Sequence, residues 1–437
     1  MTTDSTDLIL VLGYDHYGKV EDVLQAIRTS YPTIKPLVVT NKCDTDYSKL
    51  IPQSQILQSP NVNRDHLALC HEIEDKALSI SKNYRISSLL NFQDYLWPCY
   101  LDICNYFHIN GGILPNIIRN TAIKANFRFL TKNEEFGIPY KLINLNIQNS
   151  ITDVAQQLGK IVVVKPIAGG GSSAVSKVSS QNETELKQAI RRAHEFQKDM
   201  YGDTQCYLEE IASYAKISDY VLMEIYLSGQ EYSMEGYADS GCQTLFSVGQ
   251  KKLDSQEVPC FRDILYQAPP TAALRKQHDV ITNVLNKLKY QEWPYHIELR
   301  ENGHGECKVI EVNPRVGGGS IDLLIHTIHG THIIRHTVSR HLELLYPDRY
   351  YVTKVIHADE VGILLKYEGL EDVRKHPACV FAKELTECGS SISQADLTRE
   401  AYLIEFCVVG NTSQQANDLA QNLTKKIKAI VEPFPTS

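Results

Sequence analysis

Apolar positions in the first third of the chain form short runs that alternate with a helical pattern. The runs predict buried strands at 8–12, 36–40 and 86–92, because short apolar stretches are typical of buried strands. A helix is predicted after the first run, where apolar residues recur at helical spacing in Val20, Val23, Leu24 and Ile27. Strands that alternate with helices favour a parallel sheet, so we expect an α/β fold with a Rossmann-like domain over residues 1–115.

A larger middle part is expected over residues 116–340. Its patterns predict a helix at 117–135, a strand, glycine loop and strand over 161–178, a helix at 182–196 behind a cap at Asn182 or Thr184, and a hairpin over 295–315. Asn302-Gly303 lies in the turn of that hairpin, and this dipeptide is a strong hairpin signal.

The final part, 341–437, is rich in strand patterns and glycines from residue 351. It ends in an amphipathic helix predicted at 413–430. We therefore expect a small mixed α+β domain, and the length of 437 residues fits roughly three domains at about 150 residues each.

One strand of the predicted hairpin alternates in an unusual way. Its sequence KVIEVNPRVGGG places Glu311, Asn313 and Arg315 at every second position, and alternate residues of a strand share one face. A solvated face explains the alternation alone. It does not explain a carboxylate, an amide and a guanidinium in series, followed by Gly317, Gly318 and Gly319, where backbone can approach a ligand closely.

Two carboxylates are predicted to lie abreast on this hairpin. Glu298 falls on the first strand and Glu311 on the second, and two close carboxylates repel unless a cation lies between them. Carboxylates together with substrate phosphates are usual Mg²⁺ ligands, and Asn313 adds an oxygen donor. Arg315 cannot bind a metal, so its expected partner is an anion such as a phosphoryl group or a substrate carboxylate.

An anion site is predicted at 165–173. Lys165 ends a strand and is followed by AGGGSS, so that backbone N–H groups and the hydroxyls of Ser172 and Ser173 can face phosphate oxygens. A glycine turn of this kind is also common in plain hairpins. Lys124 and Arg128, four residues apart, share one helical face, which taken alone predicts a solvated face.

A second glycine segment resembles a phosphate-binding loop but lacks one of the side chains that such a loop needs. Gly13 to Val20, GYDHYGKV, nearly matches GxxxxGK[ST], but Val20 lacks the hydroxyl that binds magnesium in a true P-loop. We interpret Lys19 as part of an ordinary strand-to-helix turn at the carboxyl edge of the sheet.

The composition and charge limit which partners and which cellular compartment we expect for the chain. A formal charge of −8 argues against nucleic acid as the main partner. The eleven cysteines form no CxxC pair, which favours free thiols in a reducing compartment. No basic leader and no membrane span of roughly 18 apolar residues is visible, so we expect a cytoplasmic protein.

Four segments in order resemble the ATP-grasp carboxylate–amine ligases, which include bacterial L-amino acid (dipeptide) ligases. The segments are IKANFRFLTKNEEFGIP, VVVKPIAGGGSSAVSKV, MEIYLSGQEYSMEG and HIELRENGHGECKVIEVNPRVGGG, and the resemblance extends over roughly 115–335. It implies a two-lobed ATP-grasp core with a glycine-loop lobe at about 150–225. It also implies ATP and Mg²⁺ or Mn²⁺, two ions being expected, small acid and amine substrates such as amino acids, and a homodimer as one state to consider.

The resemblance assigns roles to individual residues. It implies that ATP is bound by Lys124, Lys165, Gly169, Gly170, Gly171, Ser172, Ser173, Glu224, Ile225 and Leu227, with Glu231 on the ribose. Metal ligands would be Glu298, Glu311 and Asn313. Arg315 and Lys165 would act on the reacting phosphoryl group, and Gly317 and Gly318 would line the substrate side.

One segment departs from the family pattern. Where related ligases often carry an acidic residue, two spacers and a His, FRDILYQAPP has Asp263 and Tyr266. Drift in a loop explains this as well as a changed substrate does. If the segment contacts substrate, we expect these two residues to set which amino acid is accepted.

The expected reaction is amide-bond formation through an acyl phosphate. Two alternatives stay open: an ATP-grasp carboxylase or purine-pathway ligase, and a nucleotide-binding regulator without turnover. The complete set of lysines and carboxylates weighs against the regulator.

Overall fold

A computed structural model describes most of the chain. The described residues are 6–13, 19–30, 35–41, 46–80, 84–109, 113, 115–146, 150–239, 242–253, 261–268, 275–291, 293–302, 304–330, 332–339, 349–376, 378–393, 397, 402–410 and 413–434. Four main sheets and one small hairpin organise them.

The front sheet is parallel and confirms the predicted α/β pattern. Its strands, in spatial order, are Ile56–Gln58, Lys35–Thr40, Thr6–Gly13 and Tyr84–Asn91. Its helices are Lys19–Ser30, His66–Ile80 and Trp97–Phe107, with short 3₁₀ turns at Asp46–Lys49, Gln53–Gln55, Pro60–Asn63 and Asp94–Leu96. Most of the near-P-loop, residues 14–18, lies outside the described part.

The predicted helix at 117–135 is two helices, Pro115–Ala122 and Lys124–Thr131. The break is at Ile123, whose backbone is extended. The N–H of Lys124 then donates to the carbonyl of Ile167 at 2.8 Å. This bond ties the start of the second helix to the residue between the strand Ile161–Pro166 and the glycine loop, which a one-helix prediction does not anticipate.

The second sheet is an antiparallel lobe that carries the glycine loop. Its strands are, in order, Tyr140–Asn144, Tyr220–Ile225, Ile161–Pro166 and Ser176–Ser179. Helices Ile151–Leu158 and Glu183–Tyr201, a 3₁₀ turn Ile217–Asp219 and a hairpin of Gln205–Leu208 with Ser213–Lys216 complete it. The Asn182 side chain accepts from the N–H of Glu185 at 3.2 Å, which confirms the predicted cap.

The third sheet has eight strands, and its neighbouring strands are antiparallel. Their spatial order is Cys307–Asn313, Trp293–Glu301, Glu231–Asp239, Cys242–Leu253, Phe261–Ala268, Arg349–His357, Tyr402–Gly410 and Cys379–Glu384. Helices Arg275–Leu288, Ile321–His329 and Ile333–Ser339 accompany it. Three strands from the expected C-terminal part thus extend the sheet that contains the hairpin.

The fourth sheet closes the chain. It pairs Ser391–Ile392, Gly362–Glu368 and Lys428–Glu432, with helices Leu370–Arg374 and Ser413–Thr424. The helix predicted to reach residue 430 therefore ends at Thr424, because Ile430 joins a strand that pairs with Lys366. In the described part of the chain, no helix combines the length and apolarity needed to cross a bilayer.

Candidate active site

Lys165 and Arg128 share one buried carboxylate. Lys165 Nζ lies 2.8 Å from Glu224 Oε2, and Arg128 Nε donates to Glu224 Oε1 at 2.6 Å. Burial alone would raise the pKa of the Glu224 carboxyl, but the two cations together hold it below its ordinary value. Burial lowers the pKa of the Lys165 ammonium. The solvated face predicted from Lys124 and Arg128 is wrong, because the Arg128 side chain is only 1% exposed.

One nitrogen of the Arg128 guanidinium has no hydrogen-bond acceptor in the described structure. Its Nη2 donates to the carbonyl of Ile310, whereas its Nη1 is buried with no hydrogen-bond partner in the described structure. Buried donors are nearly always paired in native proteins. The vacant donor therefore fits an acceptor that a bound ligand would supply.

Lys124 connects three predicted site segments. Its Nζ donates to the carbonyl of Gly169 and lies 3.4 Å from Glu311 Oε2. The lysine thus stands on a helix, reaches the glycine loop and approaches the hairpin. Lys124 and Glu311 are more than 180 residues apart in the sequence.

The loop Gly169–Ser173 presents free backbone donors at its three glycines. Its carbonyls accept bonds, yet within the described residues no N–H of Gly169, Gly170 or Gly171 has a protein acceptor. A Cβ at Gly169 would lie 2.9 Å from the Phe196 ring, so the loop fits closely where it meets the lobe. Ser172 and Gly171 both have positive φ and are exposed. Free N–H groups in such a turn favour an anion.

The hairpin pairs the two predicted carboxylates as expected. Glu298 and Glu311 are register partners across the antiparallel strands, and Asn313 Nδ2 donates to Glu311 Oε1 at 2.8 Å. Glu298 Oε1 lies 2.5 Å from Lys251 Nζ and 3.2 Å from His296 Nε2. These cations lower the pKa of the Glu298 carboxyl against the effect of burial.

The hairpin residues fit an oxygen-binding cation. Glu298 and Glu311 are 17% and 15% exposed, so solvent reaches both. Two carboxylates and an amide oxygen are the hard donors that Mg²⁺ takes, with phosphate and water completing its shell. Among the described residues, no group of three or more His, Cys, Asp or Glu side chains converges in metal-site geometry.

Lys251 is a site residue that the sequence did not reveal. Its side chain is 4% exposed, and its Nζ lies 3.0 Å from Glu231 Oε1 as well as against Glu298. Adjacent lysines on a strand point to opposite faces, so the pattern Lys251-Lys252 cannot tell which one is buried. The pairing of Glu231 with Lys251 across the two strands shows that Lys251 is the lysine on the buried face.

The predicted hinge residues lie beside this network. Ile225 ends a strand of the glycine-loop lobe, Leu227 follows it half-buried, and Glu231 begins a strand of the large sheet. Between them, Arg300 Nη2 donates to the hydroxyl of Tyr226 at 3.0 Å. The hinge therefore joins the two sheets, where a crevice for a ligand is expected.

Arg315 is paired with a residue of the front domain. Its Nε donates to Asp94 Oδ1 at 2.6 Å, its Nη2 contacts Asp94 Oδ2, and its Nη1 donates to the carbonyl of Val316 at 2.8 Å. Asp94 follows the carboxyl end of the parallel strand Tyr84–Asn91. Ligand-site residues gather at such ends, so this position was the available signal, and the sequence prediction missed it.

Comparison with known proteins identifies the family of the middle part of the chain and the fold of the whole. Residues 158–322 match the ATP-grasp domain family. The chain contains an ATP-grasp domain. A sequence search of curated proteins finds no match.

Solved ATP-grasp structures extend the likeness over nearly the whole chain. An L-amino acid ligase from Bacillus licheniformis superposes with a TM-score of 0.73 at 15% identity, covering 99% of this chain and 100% of that one. The biotin carboxylase domain of the Hydrogenobacter thermophilus 2-oxoglutarate carboxylase, in complex with MgADP and bicarbonate, gives 0.67 at 14%, covering 97% and 90%. N5-carboxyaminoimidazole ribonucleotide synthetase from Thermotoga maritima gives 0.65 at 14%, covering 97% and 99%. At these identities the likeness establishes the ATP-grasp fold, as the sequence predicted.

Two buried carboxylates fix the backbone after Arg315 in the ATP-grasp domain. Glu235 Oε2 accepts from the N–H of Gly317 at 3.1 Å. Glu405, from the C-terminal part, accepts from both the N–H and the hydroxyl of Ser320 at 2.9 Å. Gly318 lies exposed between these attachments, so the two buried acids form a frame around the predicted substrate side.

Asp263 and Tyr266 lie on the strand Phe261–Ala268. Their side chains are outside the described structure, so their expected contact with substrate stays a prediction.

Proposed function

We propose that the chain is an ATP-dependent carboxylate–amine ligase that joins two small molecules, amino acids in the first instance, through an acyl phosphate. The contact set of Lys124 carries the proposal. The Lys124 ammonium contacts both the glycine loop and Glu311. A site that holds the phosphates of ATP between the loop and the metal-binding hairpin needs a cation in this position.

The chemistry explains why such a site is needed. A carboxylate is a poor electrophile, because an amine cannot displace oxide from it. Transfer of the γ-phosphoryl group of ATP gives an acyl phosphate with a good leaving group, and the amine then forms the amide with release of ADP and phosphate. Catalysis of this kind depends mainly on positioning and electrostatic stabilisation.

Each cation has a task in this scheme. The N–H groups of Gly169, Gly170 and Gly171 and the hydroxyls of Ser172 and Ser173 bind phosphate oxygens, with Lys124 and Lys165 adding charge. Arg315 faces the phosphoryl group in transfer. Glu298, Glu311 and Asn313 would hold Mg²⁺, which when bound neutralises charge on the transferring phosphoryl oxygens.

The hinge and substrate sides complete the proposal. Glu224, Ile225 and Leu227 would line the base, and Glu231 would receive the ribose hydroxyls. Gly317 and Gly318 would line the acyl substrate. Asp263 and Tyr266 would set which amino acid is accepted if their segment contacts substrate.

A phosphate-release screen over pairs of amino acids, with mass spectrometry of the products, tests this function. We expect release that requires ATP, Mg²⁺ and two amino acids, with a condensed product lighter than the pair by one water. Release that depends on bicarbonate, with no dependence on an amine pair, would favour the carboxylase alternative. ATP binding without release under any pairing would favour a regulator.

A further inference from the structure

The 3₁₀ turn Asp94–Leu96 touches the ATP-grasp domain at two places. Asp94 holds Arg315, as described above. Its neighbour Tyr95 donates its hydroxyl to the carbonyl of Gly170 at 3.0 Å, and the same oxygen lies 3.3 Å from Ser173 Oγ. One short turn of the front domain therefore contacts both the phosphoryl-binding arginine and the glycine loop.

The paired edge of the Arg315 guanidinium is fully engaged. Nε and Nη2 form the edge that matches a carboxylate or phosphate, and both contact Asp94. Nη1 is committed to the carbonyl of Val316. A phosphoryl group that needs this edge must take the place of the Asp94 carboxylate.

Asp94 also fills the space between the arginine and the loop. A Cβ at Gly170 would collide with the Asp94 carboxylate, so the loop backbone is in close contact with it. The side chains of Arg315 and Asp94 are 10% and 11% exposed. The carboxylate is thus enclosed where the proposed reaction brings an anion.

We propose that Asp94 is an internal substitute for the γ-phosphoryl group and that the turn Asp94–Leu96 is a latch which that group opens. The inference rests on the proposed function for the assignment of this site to ATP. The γ-phosphoryl group carries more charge than Asp94 and matches the same guanidinium edge, so it displaces the carboxylate from Arg315. Tyr95 then moves with its neighbour and releases the glycine loop.

The latch makes a distinction between two nucleotides. ADP has no γ-phosphoryl group, so it leaves the Asp94–Arg315 pair intact. A closed latch lowers the apparent affinity for ATP by the fraction of molecules that are open, since only those bind. Weakening the latch should therefore tighten binding of triphosphate and leave diphosphate unchanged.

Calorimetry of nucleotide binding to the full chain tests the charge contact. The probes are ADP and a non-hydrolysable β,γ-imido analogue of ATP, each with Mg²⁺. Asp94→Asn should bind the analogue about tenfold more tightly and ADP as wild type does. Asp203→Asn, which removes the same charge from an exposed pair with Lys216, is the matched control and should change neither affinity.

Other outcomes overturn the latch. Equal tightening for both nucleotides, or analogue affinity in Asp94→Asn that is unchanged or weaker, would make Asp94 a positioning partner of Arg315. If wild type binds neither nucleotide, the ATP site itself is refuted. Normal binding without the ADP–analogue difference refutes only the latch.

Tyr95→Phe gives a second test that keeps Asp94 intact. Loss of the hydroxyl removes both contacts to the loop, so backbone hydrogen exchange over residues 167–175 should quicken about threefold or more in the nucleotide-free protein. Addition of the ATP analogue should quicken exchange of the turn at residues 93–97 in wild type, because the turn is released. Unchanged loop exchange in Tyr95→Phe, or a turn more protected with the analogue, would contradict the latch.

Discussion

The chain contains two glycine triplets, 169–171 and 317–319, and they are held in opposite ways. In the first, side-chain donors bind the carbonyls: Lys124 that of Gly169 and Tyr95 that of Gly170. In the second, Glu235 accepts from the N–H of Gly317, and Glu405 secures the next residue, Ser320. One triplet keeps its N–H groups available, whereas the other has an N–H committed to a buried acid.

This difference separates a triplet whose partners a ligand could displace from a triplet whose partners are buried acids. The partners of the first triplet are a cation that phosphate would attract and a hydroxyl from the turn that follows the front sheet, so a ligand could compete for both. The partners of the second are buried carboxylates, and breaking their bonds leaves unpaired groups away from water, which is costly. Identical triplets therefore suit different proposed tasks, binding of the ATP phosphates and support of the segment that follows Arg315.

The largest expected effect is at Glu311, which lies between the triplets. Glu311→Gln should lower turnover by about 10²–10³-fold or more. The substitution removes the charge of one carboxylate that is both a proposed metal ligand and the partner of Lys124. Glu298→Gln should fail similarly, and the double variant should lose little further activity, because both serve one site. Phosphate release in Mg²⁺ measures the effect.

The control is Glu306→Gln, an exposed acid of the same hairpin paired with Lys308. It should retain turnover. Wild-type release by Glu311→Gln would disprove the metal assignment, and circular dichroism checks that the fold persists.

A smaller effect, on stability, is expected at the frame. Glu405→Ala removes the acceptor of two buried donors on Ser320 and the partner of Lys383. The free energy of unfolding should fall by about 3 kcal/mol, since each stranded donor costs roughly 1–3 kcal/mol. Urea unfolding measures it, and Glu195→Ala, from an exposed helical pair with Arg191, should cost less than about 0.5 kcal/mol. Equal losses would remove the distinction between frame and surface.

Local pattern predicted much of the fold and the pairing of Glu298 with Glu311 across the hairpin. The alternation in 311–315 and the apolar runs of the front sheet report burial directly, so the paired carboxylates and the parallel sheet were predictable. Asp94 and Lys251 were not, because each meets its partner across a long stretch of sequence. The sequence pattern did not predict the break at Ile123 for the same reason, since the acceptor for the N–H of Lys124 is a carbonyl more than 40 residues away.

Nucleotide affinity gives the next contrast, at the first triplet. Lys165→Ala should weaken ATP binding by about 10–100-fold, because a charge-assisted bond to phosphate is worth roughly 1.5–3 kcal/mol. Glu224 keeps Arg128 as a partner, so the fold should survive. Lys19→Ala, from the near-P-loop, is the control and should bind ATP normally. The opposite result would move the phosphate site to the front domain.

The finest contrast lies within the second triplet. A Cβ at Gly317 would lie 2.6 Å from Ile321 Cδ1, 2.7 Å from Glu235 Oε1 and 2.9 Å from His296 Nδ1, whereas a Cβ at Gly318 meets nothing within 4 Å. Gly317→Ala should therefore cost about 1–3 kcal/mol of stability, as overpacked sites do. Gly318→Ala should stay within about 0.5 kcal/mol, as open surface positions do.

Thermal and urea unfolding of the two variants measure this contrast directly. Neither Gly317 nor Gly318 has the positive φ that favours glycine, so the two substitutions differ in space and not in backbone strain. If Gly318→Ala proves as costly as Gly317→Ala, the triplet is sensitive as a whole and the frame is not set by Glu235. If both are neutral, the bond from Gly317 to Glu235 does not restrain the segment. A stable Gly318→Ala with impaired turnover would instead support its proposed place on the substrate side, where an added methyl group meets the ligand and no protein atom.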